Sequence, residues 1–189
     1  MDRSRVEARL TRALSFPIAM LQGAAGSGKS FALRDALRRE ARAHVVFDVG
    51  PEHATLARFV QGLTDALAAH APGARVAFGS AYDRAILSEH AGQSLAVWLH
   101  EHIKGLDLTI AIDNAHNADG ASVQAFLGRL IDRPGDGLRW VLACRSCDLL
   151  PVANWLAGSR MGLPVEEDEL AFEIEEIAQL ARERSTIPP

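Results

Sequence analysis

Hydrophobic and polar positions change period repeatedly along this chain, and the changes divide it into alternating helices and strands. Over residues 4–14, Val6, Leu10, Ala13 and Leu14 recur at helical spacing between Arg5, Glu7, Arg9 and Arg12, which predicts a lead-in helix. Residues 17–22 are instead a short continuous apolar run, as expected of a strand buried on both faces. Phe31, Leu33, Ala36 and Leu37 return to a helical stripe, with Arg34, Asp35, Arg38, Arg39 and Glu40 mostly facing away. The β-branched run 43–49, closed by Gly50-Pro51, predicts a second strand. Leu56, Phe59, Val60, Leu63 and Leu67 then mark a helix capped by Thr55 and stopped at Pro72-Gly73.

Residues 73–92 show little period, with a short helix over 81–88 as the only sign of order. Leu95, Val97, Trp98, Leu99 and Ile103 restore a helix that Gly105 ends, and residues 106–113 form an apolar strand closing on Asp113. Residues 121–131 are a further amphipathic helix before Pro134-Gly135, and 138–144 a strand with Arg145 at its tip. A helix over 149–157, an edge strand over 161–165 limited by Pro164, a solvated acidic loop at 166–169, a closing helix over 173–184 and a frayed end at 186–189 complete the pattern. Strands alternating with helices, without hairpin signals, predict an α/β three-layer sandwich on a mostly parallel five-stranded sheet. At 189 residues and 48% hydrophobic, one domain over 1–189 is expected.

Chemistry enters at residues 23–30, which match G-x-x-x-x-G-K-[ST] throughout, between a strand and a helix as that pattern requires. This is a phosphate-binding loop. Gly23, Gly26 and Gly28 give the backbone freedom to curl with positive φ, so that amides point at a polyphosphate. Lys29 supplies a mobile positive charge for the β and γ phosphates, and Ser30 a hydroxyl for Mg²⁺. The expected nucleotide contacts are Gly23, Ala25, Gly26, Ser27, Gly28, Lys29, Ser30 and Phe31. Asp113, a carboxylate at the end of a strand downstream of such a loop, is where the metal needs an acid. Arg145 sits at the carboxyl edge of another strand, where ligands of open α/β sheets gather, and is placed to sense the γ phosphate. In phosphate-loop ATPases of the additional-strand type, the sensor strand lies between the loop strand and the acidic strand, an order that gathers Lys29, Asp113 and Arg145. Catalytic roles are therefore expected at these three residues, and Mg²⁺ at Ser30 and Asp113.

Other features narrow the reading. A net charge of −4 and a pI near 6.0 argue against a nucleic-acid surface here, so contact with DNA is expected only through a domain outside this sequence. No stretch is long and apolar enough to span a bilayer, and the N-terminus lacks a signal-peptide core, so a cytoplasmic protein without membrane contact is expected. Cys144 and Cys147 form one C-x-x-C without a second pair to complete a zinc site, and Cys144 reads as a small buried side chain. His100 and His102 read as solvated.

The series Gln22 to Ser30, Ile110 to His116 and Val141 to Arg145, with Asp148 to Leu156 and Leu170-Ala171-Phe172 behind it, resembles the ATPase domain of STAND proteins, the signal-transduction ATPases with numerous domains. Its flavour is that of the N-terminal module of large bacterial transcription activators of the maltose-activator type, including LuxR-tailed relatives and those with a bacterial transcriptional activator domain. The resemblance implies a RecA/AAA-like fold, ATP and Mg²⁺ as ligands, Asp113 as the metal-associated acid, His116 as the histidine after the acidic pair and Arg145 as sensor. It also implies further domains beyond residue 189, possible nucleotide-dependent self-association, and slow hydrolysis that resets a switch. One departure stands out: such domains commonly carry two acids where this chain has Asp113-Asn114, and an amide cannot take a proton from water. The rival readings are a stand-alone small-molecule kinase with a lid around Arg75 and Arg84, or another ATPase, and an interaction module that binds no nucleotide, which would have lost the loop lysine that this chain keeps at Lys29.

Overall fold

A computed structural model describes residues 4–133, 135, 137–146 and 150–171. The elements run in the order α1 (Ser4–Leu14), β1 (Ile18–Gln22), α2 (Lys29–Arg39), β2 (His44–Asp48), α3 (Leu56–Ala66), α4 (Pro72–Ala85), α5 (Ala91–Ile103), β3 (Leu108–Asp113), α6 (Ala121–Asp132), β4 (Leu138–Cys144), α7 (Val152–Ala157) and the one-turn α8 (Glu167–Leu170). The four strands are all parallel and lie in the order β1-β4-β3-β2, so the arginine-tipped strand separates the loop strand from the acidic strand, as expected.

The sheet is buried on both faces. Ile18, Met20, Ile110, Ile112, Trp140 and Leu142 join one apolar cluster with α3, α5 and α6. Ala19, Leu21, Ala111, Val141 and Ala143 join a second with α1 and α2. This is the physical content of the unbroken apolar runs read from the sequence.

Several expectations need correction. The fifth strand is reduced to two isolated parallel bridges, Ile18 to Met161 and Leu21 to Val165, because the segment carries one residue more between them than β1 does and so falls out of register. Thr55 does cap α3, accepting from the Arg58 amide at 3.4 Å, but Pro72 begins a helix instead of stopping one. Proline suits the first turn of a helix, where its missing N–H would have no partner. The period of α4 is faint because its buried face is Ala74, Ala81 and Ala85. This helix packs on α3 and α5, and Arg75 pairs with Asp65 at 2.7 Å. His100 is buried, with its pKa lowered by that burial, while the His102 ring lies tilted against Trp98, centroids 5.0 Å apart. Cys144 is fully buried, as read, but it is disulfide-bonded and not a free thiol; Cys147 lies outside the described residues. The helix expected at 173–184 and the end at 186–189 also lie outside them. Among the described residues no helix is long and apolar enough to cross a membrane.

Candidate functional site

The strands β1, β3 and β4 all end at the same edge of the sheet, and the site is built from the segments that leave their carboxyl ends. After β1, residues 23–28 turn back into α2. Gly26 and Gly28 have φ of 83° and 86°, a region that side chains other than glycine rarely adopt. Gly23 does not share it. Its glycine is required by proximity, since a Cβ there would lie 2.9 Å from both the Glu167 Cβ and the Ser27 Oγ. The N–H groups of Ala25, Gly26 and Gly28 make no hydrogen bond to backbone acceptors among the described residues, and α2 directs its positive end at the same space.

Lys29 is 8% exposed and its ammonium donates to Gly23 O at 2.7 Å, Ala24 O at 2.6 Å and Ser27 Oγ at 3.1 Å. Burial lowers its pKa, which the nearby Glu167 carboxylate partly offsets and the Arg145 guanidinium reinforces. Ser30 Oγ donates to Asp113 Oδ1 at 2.9 Å, which also accepts from the Asn114 N–H at 2.9 Å. Asp113 is 1% exposed, and its Oδ2 is buried without a hydrogen-bond partner among the described residues. A buried carboxylate oxygen that accepts no hydrogen bond, beside a serine hydroxyl, fits a hard divalent cation such as Mg²⁺, which binds few protein oxygens and leaves the rest of its shell to phosphate and water.

The phosphate loop, Lys29 and Ser30 open onto one cleft of about 310 Å³, lined by Ala25, Gly26, Gly28, Lys29, Ser30, Phe31, Asn114, His116 and Arg145, with Asp113 buried behind Ser30. Of the residues singled out in the sequence, Lys29, Ser30, Asp113, His116 and Arg145 are thus brought together, and Phe31 stands half-exposed at the rim. Gly23 lies behind the loop, against Glu167. His116 Nδ1 is buried without a partner among the described residues, and burial and the two nearby cations lower its pKa, which keeps the ring neutral at pH 7.

Three residues at the site carry no motif. Glu167, read from the sequence as part of a solvated loop, accepts from the Ala24 N–H at 2.7 Å, and α8 is held to α1 by Arg9, which meets Glu169 Oε1 at 2.5 Å. Arg34, read as facing away, lies 3.3 Å from Asp48 Oδ2 and 3.7 Å from Asp113 Oδ2. Asp48 accepts from Asn114 Nδ2 at 2.8 Å. The one signal the sequence offers for these is that Asp48, like Asp113, closes a strand run.

Comparison with known proteins agrees with this arrangement. A search of curated proteins finds no match. Among solved structures, a Walker-type ATPase of Pyrococcus abyssi matches all of this chain and 60% of its own, with a TM-score of 0.53 and 18% identity. A chain in the structure of Drosophila ORC bound to AT-rich DNA and Cdc6 matches 98% of this chain and 65% of its own, with a TM-score of 0.50 and 14% identity. These likenesses concern the fold, and the chain spans less than two thirds of the length of either. A family model described as an AAA ATPase domain matches residues 2–142, and with that match covering most of the sequence, the chain belongs to the AAA ATPase domain family.

Proposed function

We propose that this chain is an ATP·Mg²⁺-binding switch domain of a larger bacterial signal-transducing transcription regulator of the STAND type, with slow ATP hydrolysis resetting the switch. The observation that supports it is the convergence of Lys29, Ser30 and Arg145 on one cleft, with Asp113 bonded to Ser30 behind its wall, so that three separate strand ends meet. The loop amides and Lys29 hold the polyphosphate, and the Ser30 hydroxyl and Asp113 carboxylate hold Mg²⁺, which when bound screens the phosphate charge. Arg145, exposed at the tip of β4, lines the same cleft and distinguishes a triphosphate from a diphosphate by its charge. For a switch, binding is the essential event: the triphosphate favours one state and hydrolysis returns the other.

The STAND assignment rests on the series of loop, acidic-strand and arginine-strand motifs, and the further domains and self-association belong to the same reading. Any contact with DNA is assigned to another part of the regulator, in keeping with the net charge of −4. The packing of α4 on α3 and α5 weighs against the lid that the kinase alternative requires. Phosphate release measured with and without a panel of small acceptors tests the reading. Slow release that no acceptor accelerates is expected, and phosphorylation of an acceptor would favour the kinase.

A further inference from the structure

The cleft holds an amide where a second acid is common, yet a second carboxylate is close by. Asp48 closes β2 and lies in register opposite Asp113, which places both acids at the same edge of the sheet. Its Oδ1 accepts from Asn114 Nδ2 at 2.8 Å and its Oδ2 from Arg34 at 3.3 Å. The orientation of the Asn114 amide is dictated by chemistry, because a carboxylate only accepts, so the NH₂ end must face Asp48. That leaves Asn114 Oδ1, which accepts no hydrogen bond from the described residues, as the polar end available to the cleft that Asn114 lines. Asn114 is fixed from two further sides, by φ of 54° and by its N–H bond to Asp113.

We propose that Asp48 is a positioning residue for ATP hydrolysis: it locks the Asn114 amide so that Oδ1 accepts a hydrogen bond from the attacking water. This rests on the reading of the cleft as an ATP site. The water oxygen bonds to the γ phosphorus as the bond from that phosphorus to the β,γ-bridging oxygen breaks, and the electron pair leaves with ADP. Both water protons leave on the phosphate product, so ATP⁴⁻ and H₂O give ADP³⁻ and H₂PO₄⁻ and no protein base is consumed. An amide suffices for this chemistry provided its orientation is fixed, and Asp48 fixes it. Arg34 ties the same carboxylate to Asp113, linking the amide to the metal-side acid through one ring of contacts.

The test uses the whole chain, with ATP affinity measured by calorimetry, phosphate release in single- and multiple-turnover modes, and thermal midpoints to verify folding. Asp48→Ala is expected to lower kcat by about tenfold while ATP affinity and KM stay within about twofold, since the lost contact acts on water and not on nucleotide. The exchange Asp48→Asn/Asn114→Asp keeps the hydrogen bond with its polarity reversed and is expected to release phosphate at least as fast as the parent chain. It also serves if Asp48→Ala folds poorly. An unchanged kcat in Asp48→Ala, or an exchange variant slower than the parent, overturns the proposal while leaving ATP binding intact. A parent chain that binds ATP but releases no phosphate overturns it as well. A parent chain that does not bind ATP overturns the reading of the cleft itself.

Discussion

On one face of the sheet the strands present Ile110, Ile112, Trp140 and Leu142, and the ring contacts continue outward from Phe47 to Phe59 at 5.2 Å and from Phe59 to Phe126 at 6.0 Å. On the other face they present Ala19, Leu21, Ala111, Val141 and Ala143 beneath α1 and α2. The first face buries large side chains and carries most of the apolar stabilisation. The second gives up much of that volume, and its three alanines let α2 lie close to the sheet, so that Ser30 in the first turn of α2 meets Asp113 at the end of β3. Stability and site geometry are thus assigned to opposite sides of the same strands.

The largest effect that would test this division comes from Phe59→Ala on the first face. Deleting a fully buried ring there is expected to cost about 3–5 kcal/mol in denaturant unfolding, with ATP affinity of the remaining folded chain unchanged. On the second face, Ala111→Leu is expected to cost about 1–3 kcal/mol by overpacking and, unlike the first change, to weaken ATP binding by lifting α2 away from Asp113. Equal effects of both substitutions on binding would dissolve the contrast.

A smaller effect concerns the far side of the phosphate loop. Glu167 and Lys29 bracket Ala24, one accepting from its N–H and the other donating to its carbonyl. Glu167→Gln retains an acceptor and removes a negative charge near the polyphosphate, so ATP should bind about threefold more tightly at low salt, with the gain shrinking as salt rises. Weaker binding in calorimetry would show that the charge itself holds the loop.

The smallest effect is with pH. Burial lowers the pKa of His100 and His116 below the ordinary value of 6.5, so the unfolded chain takes up protons at a pH where the folded chain does not. Stability contributed by these neutral rings is complete above pH 6.5 and declines as pH falls below it. A thermal midpoint that drops between about pH 7 and about pH 5, and drops less in His100→Gln, is the expected outcome.

Much of this is legible in the sequence because it is local. The loop motif, the terminal Asp113 and Arg145, and the helix at 4–14 each declare themselves within a dozen residues, whereas the strand order comes only from likeness to phosphate-loop ATPases of the additional-strand type. The features that the sequence hides depend on contacts distant in the chain. Asn114 and Asp48 are 66 residues apart and Glu167 and Ala24 are 143 apart, so neither pair leaves a local pattern. Helix α4 is hidden for a different reason: alanine buries well but barely marks a period. Glu166 to Glu169 read as solvent-facing by charge alone, although Arg9, far away on α1, pairs with the last of them.

A calorimetric titration of ATP in the presence of Mg²⁺, run on the parent chain and on Lys29→Ala, bears most directly on the nucleotide cleft. The account predicts one site per chain, weakened roughly a hundredfold by the substitution as charge-assisted hydrogen bonds to phosphate are lost. Equal affinity in the two proteins would contradict it.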